Sequence, residues 1–176
     1  MTANGSRVME RAAEMRREFD QAFVRPVQFD ATLTERLLTI RAGGQALAIR
    51  LSAVAGLFAD RKVTPVPGGH PALRGIAGFR GAILPVYDLP RLLGIAGPQS
   101  PRWLVIAKAA PVALAFDAFE AQLLVRPEAI VAQTVRPELK DFARNFLRTA
   151  DFSGPILHLP SVLDAIGISQ RDTALN

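Results

Sequence analysis

Apolar residues near the N-terminus recur every three or four positions, with charged residues between them. These apolar positions are Val8, Ala12, Met15, Phe19 and Phe23. The spacing predicts one amphipathic helix from about Ser6 to Phe23, which ends before Pro26 because the residue preceding a proline avoids the helical conformation. This helix either packs on its own domain or docks on, or is exchanged with, a partner, and self-association is one such case.

After residue 31 the apolar runs become short and alternate with turn residues, which is typical of β-strands. Residues 37–40 and 47–49 flank a Gly-Gly pair, a hairpin signal. A short helix or a single turn of helix is predicted at Leu51 to Phe58, and short helices are predicted at Asp88 to Leu93, closed by Gly94, and at Ser161 to Ile166. The chain is therefore predicted to be mainly β, with short helices.

The two halves of the chain resemble each other. GFRGAILPVYDLPRLLGI at 78–95 aligns without gaps on DFSGPILHLPSVLDAIGI at 151–168, and 37–49 matches 103–116 with one extra residue. Two blocks that recur in the same order predict two related small β-barrels. The predicted boundaries are 1–30 for an N-terminal extension, 31–176 for the domain, about 36–95 for the first barrel and about 102–168 for the second.

Composition narrows the class of protein. The 176 residues are 49% hydrophobic and contain no cysteine, which excludes a disulfide framework and a thiolate metal site. No apolar run reaches the roughly 18–20 residues of a membrane span, and the N-terminus lacks the apolar core of a signal peptide. A cytoplasmic protein with no integral membrane segment is expected.

The net charge of +5 comes mainly from arginine, which is compatible with nucleic acid, acidic lipid or an acidic protein as partner. The arginines are scattered among acidic and apolar neighbours, so an ordinary solvated surface is the simplest interpretation. The acidic residues of the predicted N-terminal helix argue against binding to anionic membranes. The chain is expected not to bind nucleic acid, because its aromatic residues fall on strand positions typical of a core.

The sequence offers no group of residues suited to catalysis. His70 and His158 are far apart, without the pairing of a metal site. No phosphate-binding loop or nucleophile motif is present, and the close carboxylate pairs fall on charged segments where burial would not shift a pKa. We therefore expect no catalytic residues, no metal and no cofactor.

Arg80 stands out, because it interrupts the apolar, glycine-rich hairpin segment 75–86. The equivalent position in the second half is the small polar Ser153. A planar guanidinium with five donors on a tight turn suits recognition of carbonyls or carboxylates on another protein. The alternative is an exposed turn arginine without a role.

The segments LLTIRAGGQALAIRLSAVAGLF and VTPVPGGHPALRGIAGFRGAILPVYDLPRLLGI closely resemble a CheW-like domain. The second half fits more loosely, through WLVIAK, VALAFD and GPILHLPSVLDAIG, so the resemblance covers about 37–168. It implies two pseudo-symmetric five-stranded SH3-like β-barrels. It also implies a non-enzymatic adaptor that couples the cytoplasmic tip of methyl-accepting chemoreceptors to a CheA-type histidine kinase, at membrane receptor arrays or cytoplasmic receptor clusters.

The resemblance places four residues at contacts with receptor or kinase, namely Val54, Gly56, Gly75 and Arg80, beside an apolar groove between the barrels. Gly56 departs from the family pattern, which usually has a glutamate there. The change removes a charge from the partner interface and puts glycine inside a predicted short helix, at a cost of about 1 kcal/mol. A divergent adaptor that binds receptor, or another pathway protein, but not kinase is therefore one alternative. A basic β-barrel protein that binds nucleic acid is another.

Overall fold

The computed structural model describes residues 34–67, 69–97, 101–132 and 139–168. The chain divides into two units, Met1–Leu33 and Thr34–Asn176. The predicted helix with Val8, Met15, Phe19 and Phe23 lies outside the described residues.

One sheet has six strands in the order β8–β1–β2–β11–β10–β9. Its strands are β1 Glu35–Ala42, β2 Gln45–Arg50, β8 Ala118–Val125, β9 Ile130–Val131, β10 Ala143–Arg148 and β11 Ser153–Leu157. Neighbouring strands are antiparallel, except that β11 runs parallel to β2. The predicted hairpin around Gly43-Gly44 joins β1 and β2.

The other sheet has five strands in the order β3–β6–β7–β5–β4. They are β3 Val54–Ala59, β4 Leu73–Phe79, β5 Ala82–Asp88, β6 Trp103–Ala107 and β7 Ala113–Phe116. Here β5 runs parallel to β7, and the other pairs are antiparallel. The mainly β prediction is confirmed.

The two sheets share one strand arrangement, as the internal repeat implies. In each, the hairpin from the start of one half (β1–β2 or β6–β7) pairs in parallel with the closing hairpin of the other half (β10–β11 or β4–β5). The outer strand beside each opening hairpin, β8 or β3, also comes from the opposite half. Each half of the chain thus contributes strands to both sheets.

This exchange corrects the predicted barrel boundaries, because neither 36–95 nor 102–168 forms a sheet from its own strands. After β2, a 3₁₀ turn at Leu51–Ala53 redirects the chain, and β3 pairs with β6. After β7, only Asp117 separates that strand from β8, which pairs with β1. The sequence repeat is real, but its copies are interleaved.

Three apolar cores hold the two sheets. The largest contains buried residues of both sheets, among them Leu47, Leu114, Phe116 and Leu157. A second lies within the five-stranded sheet around Phe79, and a third within the six-stranded sheet. Since the largest core is common to both sheets, they form a single packed body.

The short helices follow the predicted turn chemistry. Helix α1, Leu89–Leu92, begins at Asp88, whose side chain accepts a hydrogen bond of 3.0 Å from the Arg91 backbone N–H, and Gly94 after it has φ +69°. Helix α2, Leu159–Ala165, starts two residues earlier than predicted. Of the short helix or helical turn predicted from Leu51 to Phe58, the structure has a single 3₁₀ turn at Leu51–Ala53, and the rest is β3.

The start of α2 makes the fold sensitive to pH. Burial, reinforced by the positive charges of Arg144 and Arg50, lowers the pKa of His158 below 6.5, whereas Asp164 opposes the shift. The folded chain therefore binds this proton less readily than the unfolded chain. We expect the free energy of unfolding to fall as pH drops below 6.5, and His158→Gln to flatten that dependence. Urea titrations of both proteins at several pH values measure it, and identical slopes with pH would contradict it.

Candidate partner-binding site

Arg80 lies at the tip of the β4–β5 hairpin, in an unusual backbone conformation. Phe79 pairs with Ala82, so the turn consists of Arg80 and Gly81 alone. Both have positive φ, +48° and +89°. Two-residue turns of this kind favour glycine, asparagine or aspartate, and an arginine there costs about 1 kcal/mol or more. Such strain clusters at functional sites, which favours a role for this exposed side chain.

The guanidinium of Arg80 lies over the ring of Phe58, with its Cζ 5.9 Å from the ring centroid. Arg61 lies over the same ring at 5.2 Å. The ring meets Phe79 edge-on, with centroids 5.1 Å apart and an interplanar angle of 62°. Because Phe79 is buried in the core of the five-stranded sheet, this contact anchors Phe58 and fixes the surface on which both arginines rest.

This end of the sheet carries uncompensated positive charge. Arg61, Lys62 and Arg80 are exposed, and none forms an ion pair within the described part of the chain. Asp60 is the nearby acidic residue in sequence, but Arg102 donates three hydrogen bonds of 3.0–3.2 Å to its carboxylate. The surface is therefore suited to bind an anionic group.

Gly56 lies in β3, not in a helix, so the expected helix penalty does not apply. A Cβ on Gly56 would stand 2.8 Å from Cε2 of Phe58, closer than real contacts allow. Because Gly56 has no side chain, the Phe58 ring can occupy this space. Gly56 thus acts on Arg80 through Phe58.

Gly75 is buried and cannot contact a partner through exposed surface. Its φ is +146°, and a Cβ there would overlap the Thr64 carbonyl oxygen and lie 2.7 Å from the carbonyl carbon. Beside it, the Thr64 and Ile76 backbones exchange two hydrogen bonds of 2.8 and 2.9 Å. Gly75 therefore has a structural role, because the absence of a side chain allows segment 63–67 to approach β4 closely.

Val54 lies apart from this cluster, at the opposite end of β3 from Phe58. It is half-buried and packs at the margin of the core shared by both sheets. Of the four predicted site residues, the structure therefore brings together Arg80 and Gly56 only. The apolar residue most exposed among those described is Ile83, at 71%, which faces Gly78 across the hairpin and so has no cross-strand side chain to cover it.

Sequence reasoning missed Phe58 and Arg61. Phe58 would have appeared if 54–59 had been assigned as a strand, since residues two apart then share a face and Phe58 falls beside Gly56. Arg61 follows that strand by two residues and carries no local signal of its own.

No group of three or more His, Cys, Asp or Glu among the described residues could hold a metal ion. His70 accepts a hydrogen bond of 3.1 Å from the Ala72 N–H and packs on Tyr87, with ring centroids 5.6 Å apart. No helix in this part of the chain is long and apolar enough to cross a membrane.

Two interleaved, related sheets with a shared core define a paired small-barrel domain. Residues 36–167 match the family described as "CheW-like domain". The chain belongs to this family and is a CheW-like adaptor of chemotaxis. The predicted family is thereby confirmed.

Individual similar proteins also carry the name of this family. "Chemotaxis protein CheW" of Rhizobium meliloti (strain 1021) is 30% identical over 116 residues, which are 64% of this chain and 74% of the relative. The protein of the same name from Thermotoga maritima is 28% identical over 88 residues, 49% of this chain, and the match spans 58% of the relative's length. The scaffolding protein TtCheW from Thermoanaerobacter tengcongensis has a crystal structure similar in fold, with a TM-score of 0.67 at 20% identity over 78% of this chain and 97% of that one.

Proposed function

We propose that this protein couples the cytoplasmic tip of methyl-accepting chemoreceptors to a CheA-type histidine kinase, without catalysing a reaction itself. It acts in the cytoplasm, at membrane receptor arrays or cytoplasmic receptor clusters. Membership of the CheW-like family supports this role. The observation that carries it is the strained, exposed Arg80 at the tip of a hairpin.

Energetic hot spots in protein recognition often combine apolar anchors with arginine, and the β4–β5 hairpin carries both an exposed isoleucine, Ile83, and the exposed Arg80. Ile83 supplies the apolar surface and Arg80 the directional hydrogen bonds. Val54, at the margin of the shared core, provides a second apolar position for a helical partner. Gly75 contributes to this surface only by shaping β4.

Gly56 favours a narrower alternative, in which the protein binds receptor but not kinase. Because position 56 has no carboxylate, a partner whose binding depends on a carboxylate there would not bind this protein. Binding to nucleic acid is disfavoured, because three arginines elsewhere in the described residues are already paired with carboxylates and are less available to phosphates. Those pairs are Arg41–Glu120, Arg50–Glu35 and Arg102–Asp60.

Reconstitution with the receptor fragments and CheA-type kinase of the same host tests the function. Co-sedimentation of all three proteins, with kinase autophosphorylation that depends on this chain, is the expected result. Co-sedimentation with receptor alone would establish the narrower alternative, and binding to neither would refute the coupling role. Analytical ultracentrifugation of the purified chain tests self-association through the predicted N-terminal helix.

A further inference from the structure

Phe58 carries two guanidinium groups on one ring. Arg61 and Arg80 come from different parts of the chain, one after β3 and the other from the β4–β5 turn, and meet at this ring at 5.2 and 5.9 Å. These three residues form what is here named the Arg–Phe clamp. The ring attracts each cation through its quadrupole, which offsets part of their mutual repulsion.

Two neighbours determine where the ring of the clamp lies. Phe79, buried in the core, meets it edge-on. Gly56 leaves the space that the ring occupies, since a Cβ would come within 2.8 Å of Cε2 and 3.3 Å of Cζ. The arginines are therefore oriented by a fixed platform rather than by an acidic neighbour.

No carboxylate in the described residues neutralises Arg61 or Arg80, and Asp60 is bound to Arg102. Two cations held at one ring, each within 6 Å of its centroid and without an anion, form a preorganised anion site. A nucleic acid fits poorly, because the guanidinium groups lie over the ring on which a base would stack. A protein carboxylate needs only the free N–H donors.

We propose that the Arg–Phe clamp binds glutamate or aspartate side chains of a protein partner, with Phe58 and Gly56 as positioning residues. The identity of that partner as receptor or kinase rests on the proposed function. The carboxylate chemistry of the clamp rests on its own geometry. The two can therefore be tested separately.

The test follows the arginine side-chain Nε–Hε signals of the full chain by NMR. The probes are a helical peptide with glutamates four residues apart, its glutamine counterpart, and a single-stranded oligonucleotide of equal charge. Saturable shifts of both Arg61 and Arg80 with the glutamate peptide, at least about tenfold weaker with the glutamine peptide, are expected. Absence of shifts, or tighter binding of the oligonucleotide at these arginines, would overturn the proposal.

Gly56→Ala tests the positioning role, because the added methyl displaces the ring. Its matched control is Gly78→Ala, which adds a methyl to an exposed position with nothing within 4 Å. We expect about tenfold weaker peptide binding for Gly56→Ala and unchanged binding for the control. Equal affinities in both folded variants would refute the role of Gly56 as a positioning residue.

Phe58→Leu serves as a second variant, since it keeps an apolar side chain and removes the ring, and is expected to weaken peptide binding similarly. Unchanged affinity in this variant would overturn the proposal. Peptide binding without any binding of host receptor or kinase would support the clamp and contradict the proposed function. Binding of both host proteins without any peptide-induced shifts at the arginines would do the reverse.

Discussion

Arg80→Glu is expected to abolish partner binding while leaving the fold unchanged. The side chain is exposed at a hairpin tip, so the core does not depend on it. Reversing its charge removes the hydrogen-bond donors and places a carboxylate where a partner's carboxylate would lie. Loss of such an interfacial contact costs about 2–5 kcal/mol, or at least about 30-fold in affinity. Isothermal titration of the variant against receptor fragment and kinase measures the loss, and thermal unfolding checks the fold.

Arg80→Gly is the matched control for backbone strain. Glycine adopts the positive φ of this position without penalty, so this variant should be more stable than the natural chain by about 1 kcal/mol. It should nevertheless bind partners weakly. Normal affinity in Arg80→Gly would show that the guanidinium has no role in recognition. The backbone strain at Arg80 would then have no function in binding.

Gly75→Ala is expected to destabilise the fold by roughly 2–5 kcal/mol, because a β-carbon here requires both a strained φ and displacement of the Thr64 backbone. A loss of this size is a large fraction of the stability of a small domain. Urea unfolding gives the change directly. Loss of partner binding in this variant is expected only to the extent that the chain unfolds.

Gly78 lies three residues further along β4 and is open to solvent. The free energy of unfolding of Gly78→Ala should therefore be within about 0.5 kcal/mol of that of the natural chain. If Gly75→Ala were equally stable yet failed to bind receptor or kinase, the buried glycine would be a recognition residue after all and the structural role assigned to it would be wrong.

Local signals predicted the local elements. The Gly-Gly pair predicted the β1–β2 hairpin, and the short helix predicted from Asp88 to Leu93 with Gly94 after it matches α1, Leu89–Leu92. Each of these signals acts through neighbours within a few residues, so no knowledge of the tertiary fold was needed. The internal repeat likewise predicted that both sheets share one arrangement.

Non-local choices could not be predicted in this way. Leu51, Val54 and Phe58 follow a helical spacing, yet pairing with β6 draws the last two into a strand. The same pairing decides where Phe58 and its arginines lie, so the site depended on the element that local periodicity misassigned. Arg80 was found because it conflicts with the residue types that its turn favours.

The interleaving of the two halves has a consequence for biosynthesis. The β1–β2 hairpin leaves the ribosome first, yet its neighbours in the finished sheet come from the second half, as with Thr39, which bonds Ala121, 82 residues later. The five-stranded sheet in turn waits for β6 and β7. In a nascent chain that ends before residue 101, the four strands β1, β2, β3 and β5 each lack a partner strand and neither sheet is complete. Each barrel is completed only when the other half of the chain has been synthesised.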